Sequence, residues 1–245
     1  VESHYSFASI GVVHSCFKEK FGVPRQPGLA PESRAQLELL APYNRAESVS
    51  GLAGVSHIWL QFIFHEFVGK TWSPTVRPPR LGGNKRMGVF ATRSPVRPNP
   101  LGLSVVKLDG IDTDNGKVIL HISGIDLIDG TPVIDIKPYV PYVDNIPEAS
   151  NEFADSVPTN LAVELSAQAE FDCEKFSLEH PLDIRALVTQ VLQQDPKPSY
   201  QTPDSARIYG MKLLNFDLQW RYLVTELAGG ESVLSIEVIA LLDSA

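Results

Sequence analysis

Short apolar runs separated by glycine, proline and Asn/Asp turns dominate the first 145 residues. Residues 7–13 (FASIGVV) mix apolar and small side chains and predict a strand. Residues 56–67 (SHIWLQFIFHEF) are apolar and aromatic and predict a buried strand, although period alone does not exclude a helix in so short a run. Residues 87–92, 101–108 and 117–123 predict three more. Asp114-Asn115-Gly116 stands before the last of these as a hairpin signal. Asp129-Gly130-Thr131-Pro132 predicts a turn into a strand at residues 133–136. Many short strands with few helical stretches predict a closed or nearly closed sheet. Residues 1–145 therefore read as one β-barrel-like domain.

Residues 146–160 are polar and acidic, carry Pro147 and Pro158, and lack any period, which predicts a linker. Residues 161–245 predict a smaller α+β unit. Its clearest helix is residues 181–194, where Ile184, Leu187, Val188, Val191 and Leu192 fall on one face. Asp195-Pro196 ends that helix, because a residue before proline is pushed out of the α region. Strands are expected at residues 161–171, 210–223 and 233–241. The expected fold class is mainly β, a β-barrel-like N-terminal domain with a smaller α+β C-terminal domain.

Charge changes this picture in one place. Residues 67–108 hold eight Lys/Arg (Lys70, Arg77, Arg80, Lys85, Arg86, Arg93, Arg97, Lys107) and no Asp or Glu, in a chain of formal net charge -8. Local charge governs the field over a surface, so this stretch predicts an anionic partner. The acidic remainder argues against nucleic-acid binding over the whole surface. Cys16 and Cys173 lie outside any metal-ligand spacing, which predicts reduced thiols in a cytoplasmic protein and no metal. No apolar run nears the roughly 20 residues of a membrane span, so no membrane partner is expected. Val1-Glu2-Ser3-His4 opens no secretory leader.

Several chemistries lack their signatures. There is no GxGxxG after a strand, no phosphate-binding P-loop, no HExxH and no serine at a nucleophile elbow. What stands out is Arg93-Ser94-Pro95-Val96-Arg97-Pro98-Asn99-Pro100. Its prolines hold the backbone extended and display Arg93 and Arg97, whose planar forks suit carboxylate or phosphate. The Asn99 amide suits the donor/acceptor edge of an adenine. On a continuing strand Asp135, Lys137 and Tyr139 share one face, and Tyr139 offers a stacking platform for a base. The same groups also suit a solvated loop and a cross-strand ion pair beside an edge tyrosine. His57 and His65 flank the aromatic strand, either as satisfied structural histidines or as site residues. A second stiff loop, Pro24-Arg25-Gln26-Pro27-Gly28, precedes them.

Taken with Ser56-His57-Ile58-Trp59, Arg77-Pro78-Pro79-Arg80-Leu81-Gly82-Gly83, Ala91 to Gly102, Asp129 to Tyr139 and Gln194-Asp195-Pro196-Lys197-Pro198-Ser199-Tyr200, these motifs resemble the TrmO (YaeB- or TsaA-like) family nearly end to end. The resemblance implies a non-Rossmann, S-adenosylmethionine-dependent tRNA methyltransferase. Its substrate would be N6-threonylcarbamoyladenosine at position 37 of threonine tRNA, approached through the anticodon stem-loop by a homodimer. The resemblance also implies cofactor contacts at Gln26, Pro27, Gly28, His65, Glu66, Arg93, Leu103, Asp126, Leu127, Ile128 and Asp129. Arg97, Asn99, Asp135, Lys137 and Tyr139 are the candidate catalytic residues, and Lys197, Tyr200 and Arg207 would extend the RNA surface. Lys197 stands where many members carry Arg, and Lys acts as a point charge rather than a fork. The rival class is a non-catalytic module that binds an adenosine-type ligand or RNA.

Overall fold

Alternation of buried with more exposed side chains runs along most of the six strands that close into a barrel. The structure is a computed structural model that describes residues 3–78, 85–154, 156–197, 201–226 and 232–244. Its first eight strands are β1 (Gly11–Ser15), β2 (Arg34–Leu39), β3 (His57–Ile63), β4 (Thr75–Val76), β5 (Met87–Gly88), β6 (Leu101–Asp112), β7 (Ile119–Ser123) and β8 (Thr131–Pro138). The barrel order is β1-β2-β7-β6-β3-β8, and β4 pairs only with β5. Val13, Leu37, Ile58, Leu60, Phe62, Val106, Leu120, Ile122 and Val133 are buried within it. Closure leaves no free edge, which is how a sheet of short strands avoids unpaired backbone.

The expected Asp114-Asn115-Gly116 hairpin is present. Asn115 and Gly116 both have positive φ (53° and 73°), the conformation a tight turn between twisted strands needs. Gly102 faces Phe62 across β3 and β6, and a side chain at Gly102 would overlap the Phe62 ring. Phe62 therefore lies flat over a bare backbone and starts an edge-to-face ladder with Phe64 and Phe67.

A second sheet follows: β9 (Ala162–Leu165), β10 (Tyr209–Leu213), β11 (Phe216–Glu226) and β12 (Ser232–Asp243), in the order β10-β11-β12-β9. A single turn, α1 (Pro141–Asp144), closes the barrel segment, and α2 (Ala167–Glu179) and α3 (Ile184–Leu192) accompany the sheet. The loop after β1 docks on this sheet. Phe17 bridges to Leu213, the Leu214 N–H donates to the Cys16 carbonyl at 2.8 Å, and Gly22 lies against the Met211 sulfur.

Several expectations are corrected. Residues 161–171 are a four-residue strand followed by a helix, not one strand. Ser166 caps α2 by accepting from the Ala169 N–H, and Ala169, Cys173 and Phe176 make its buried stripe. Residues 210–223 are two strands turning at Leu214, whose φ is 53°. Residues 87–92 form the short β5 and a 3-10 turn, Val89–Ala91. Residues 56–67 end as a strand at Ile63 and continue into a 3-10 turn, His65–Phe67. The first strand begins at Gly11 rather than Phe7, and Phe7 is exposed. Strand β2 had no sequence prediction. Both cysteines are free and buried, and burial pushes each thiol up to about 12.

Candidate active site at the barrel mouth

Three loops meet at one end of the barrel: the loop after β1, the proline-arginine segment before β6, and the segment after β7. A backbone approach joins the first to the third. The Gly28 N–H donates to the Gly124 carbonyl at 2.8 Å. Both glycines have positive φ (79° and 69°), and a side chain on Gly124 would stand in ordinary contact with the Gly28 backbone but in a strained conformation. Arg93 reaches across from the second loop and donates to the Gln26 side-chain carbonyl.

Asp126 sits below them. Its carboxylate accepts 2.7 Å from the Ser104 hydroxyl, which β6 points into the barrel. Burial pushes Asp126 up to about 6, opposed by the Ser104 hydrogen bond and by the Arg93 charge. Asp129 anchors the same segment by accepting from the Ser15 N–H at 2.8 Å and pairing with Lys18 at 2.9 Å. The Leu127 carbonyl accepts from the Ser15 hydroxyl. Leu127 is buried, whereas Asp126, Ile128 and Asp129 are partly exposed. His65 and Glu66 occupy the turn after β3. The next residue, Phe67, lies under the Lys20 and Lys70 ammonium groups at 4.6 and 4.4 Å from its ring centre.

The remaining candidates lie elsewhere on the barrel. Leu103 is half exposed and points outward beside Gln61, on the opposite face of β6 from Ser104. Asp135 and Lys137 also point outward and form an ion pair of 2.6 Å. The Tyr139 ring contacts Trp59 and His57. Together Trp59, Gln61, Leu103, Lys137 and Tyr142 line an open groove of about 470 Å³. One floor of it is fixed by Asp144, which accepts from the Val140 N–H and the Trp59 indole and is held below the usual carboxylate range by those bonds.

Strand β3 runs between β6 and β8, so it separates the arginine segment from Asp135, Lys137 and Tyr139. Among the described residues no side-chain hydrogen bond or ion pair joins the two sets. Arg97 donates instead to the Thr92 carbonyl at 3.2 Å, and Asn99 is exposed at the entry to β6. The expected RNA role of Lys197 is corrected: it is 5% exposed and pairs with Asp195 at 2.9 Å. Arg207 is exposed and stacks on Tyr209. Arg80 and Tyr200 lie outside the described residues. Sequence reasoning missed Ser104. Its signal was a lone hydroxyl at an inward position of the run Leu101 to Leu108.

Two family models match the chain: the tRNA-methyltransferase O N-terminal domain over residues 12–145, and the TrmO C-terminal domain over residues 158–238. The chain belongs to the TrmO family. A TrmO crystal structure from Pseudomonas aeruginosa superposes with a TM-score of 0.80 at 40% identity, covering 98% of each chain. The chain is 46% identical over 221 residues to the tRNA (adenine(37)-N6)-methyltransferase of Escherichia coli, covering 89% of this chain and 94% of that protein. It is 47% identical over 233 residues to a Pseudomonas aeruginosa protein named for S-adenosylmethionine-dependent methyl transfer, covering 93% of this chain and 99% of the relative. The mainly β TrmO fold agrees with the barrel expected from the strand pattern. Among the described residues no helix is long and apolar enough to cross a membrane.

Proposed function

We propose that this TrmO chain transfers a methyl group from S-adenosylmethionine to N6 of the adenine at position 37 of tRNA. The substrate is N6-threonylcarbamoyladenosine in threonine tRNA. The observation that carries this reading is the convergence of Gln26, Gly28, Arg93 and Asp126 at the barrel mouth, beside a basic run with no acidic residue.

These residues fit the cofactor. S-adenosylmethionine supplies an electrophilic methyl group on a positively charged sulfur. Asp126, ionised above about pH 6, is a shielded counter-charge for a cation at the mouth. Gly28 leaves open space where a side chain would stand, so a ligand can reach its backbone. Gln26, two residues before Gly28, is held in place by Arg93. The reaction then depends on alignment, because a displacement needs the nucleophile in line with the bond that breaks.

The acceptor base is splayed from the anticodon loop, as single-stranded bases are when proteins modify them. Arg97, pinned by the Thr92 carbonyl, neutralises the threonyl carboxylate, and Asn99 touches the adenine edge. Tyr139 stacks the base, Lys137 lies near its carboxylate, and Asp135 takes the proton released from N6. The basic run 67–108 follows the anticodon stem, with Trp72 and Phe90 exposed among its charges.

The reading includes a homodimer in the cytoplasm. Leu101, Leu103, Tyr142, Val143 and Ile146 are exposed on or beside the outer barrel wall, an apolar patch that a second copy would cover. With the wall of one copy facing the mouth of the other, Tyr139 and Lys137 would join Arg97 and Asp126. The test is nucleoside mass spectrometry. Threonine tRNA carrying the threonylcarbamoyl group gains one methyl with the chain and S-adenosylmethionine. Cofactor binding without any methylated nucleoside would favour the non-catalytic reader instead.

A further inference from the structure

The loop that carries Gln26, Pro27 and Gly28 is held from outside the barrel. Arg25 donates through Nη2 to the Asp195 carbonyl at 3.1 Å and to the Lys197 carbonyl at 3.4 Å. On the other side of the three residues, the Leu29 carbonyl accepts from Gln194 Nε2 at 3.0 Å. Three residues further on, the Glu32 N–H donates to Gln190 Oε1 at 2.8 Å. All of these second-unit partners lie on α3 or on the turn that ends it.

That turn is itself braced by side chains. Asp195 adopts a positive φ of 52°, which a non-glycine residue keeps only when its surroundings fix it. One oxygen of its carboxylate accepts from the buried Tyr222 hydroxyl at 2.8 Å. The other pairs with Lys197 Nζ at 2.9 Å. Lys197 is almost fully buried and also lies over the Tyr222 ring. A buried ammonium with one carboxylate partner fixes geometry more than it adds stability. It turns two backbone carbonyls toward Arg25.

We infer that the Gln194–Lys197 turn is a positioning clamp for the cofactor loop, acting through Arg25 and Leu29 rather than by touching ligand or RNA. This rests on the reading that Gln26 to Gly28 bind the cofactor. It assigns the second unit a share in cofactor affinity, and Arg25 is the positioning residue that transmits it. A preset loop binds without first being ordered, so loosening it weakens affinity while leaving the chemical step intact.

The test is calorimetric titration with S-adenosylhomocysteine, paired with steady-state kinetics on modified threonine tRNA. Arg25→Ala should weaken S-adenosylhomocysteine binding about tenfold and raise the KM for S-adenosylmethionine similarly, the factor one charge-assisted hydrogen bond supplies. The kcat and the KM for tRNA should stay within about twofold. Arg25→Lys, which keeps one donor to those carbonyls, should recover most of the affinity. Lys197→Met tests the far end and should match Arg25→Ala. Gln26→Ala reports on the site itself. If Gln26→Ala weakens binding while Arg25→Ala and Lys197→Met do not, the clamp is wrong and the site stands. If Gln26→Ala changes nothing, both fall. A rise in the tRNA KM with unchanged cofactor affinity would also overturn the clamp and make Arg25 an RNA contact.

Discussion

Ser104 Oγ donates a 2.7 Å hydrogen bond to Asp126 Oδ1, tying an inward position of β6 to the segment that leaves β7. Burial and this bond pull the Asp126 carboxyl in opposite directions, and burial wins. Asp126 is therefore charged at neutral pH and neutral not far below it. Affinity for S-adenosylmethionine should fall as pH drops through about 6. Affinity for the uncharged sulfur of S-adenosylhomocysteine should respond much less. Ser104→Ala removes a stabiliser of the charged form, so the midpoint should move upward. Calorimetry at several pH values with both ligands reads this directly.

The same shift has a consequence for stability. The folded-state value, about 6, lies above the ordinary aspartate value of 3.8. Proton binding therefore favours the folded state. The contribution is fully present below about 3.8 and is lost as pH rises through about 6. At pH 8 Asp126→Asn should be more stable than the parent by on the order of 2 kcal/mol. It should also bind S-adenosylmethionine more weakly. Thermal melts across pH check the first half, and the gain should vanish near pH 4.

Gly102→Ala puts a methyl group into the Phe62 ring, where the facing strand leaves no room. Overpacking of this kind costs about 1–3 kcal/mol. The ring would shift along the Phe62, Phe64 and Phe67 ladder toward the mouth. Chemical denaturation should show the loss. Gly88→Ala meets open space and serves as the comparison, with a smaller effect.

Arg97→Ala should lower turnover of the threonylcarbamoyl tRNA by about 10- to 100-fold, the range for losing a hydrogen bond to a charged group. Cofactor affinity should change by less than about twofold, because Arg97 is held by Thr92 and, among the described residues, no hydrogen bond or ion pair joins it to Gln26 or Asp126. Equal loss of both would remove Arg97 from the acceptor role.

Affinity for tRNA should fall steeply with salt. Arg77 and Arg86 are exposed next to the paired residues Val76 and Met87 of the β4–β5 ribbon, and each change to Ala should reduce the slope of log K against log salt by roughly 0.7–0.9. Filter binding across a salt series measures it, and a flat response would disconnect the basic run from RNA.

The parts of this molecule legible in its sequence are those with strong local signals. Asn115-Gly116 needs positive φ and said so, and the five apolar residues of α3 repeat at helical spacing. Helix α2 was hidden because its stripe is narrow and Phe171 and Leu178 are exposed on it, which blurs the period. The β10–β11 turn was hidden because Leu214 takes positive φ without a glycine. Strand β2 did carry a signal: Ala35, Leu37 and Leu39 alternate inward. Lys197 misled for a physical reason. A lysine after Asp-Pro reads as a solvated cation, and only the fold brings Tyr222 over it and buries the pair. The separation of Lys137 and Tyr139 from the arginine segment by β3 is a matter of strand order, which no local pattern encodes.

The most direct test of the central claim is a crystal structure of the chain with S-adenosylhomocysteine. The ligand is expected at the barrel mouth, its sulfur near Asp126 and its body against Gln26, Gly28 and Arg93. Ligand seated only in the outer groove beside Trp59 and Lys137, with the mouth empty, would contradict it.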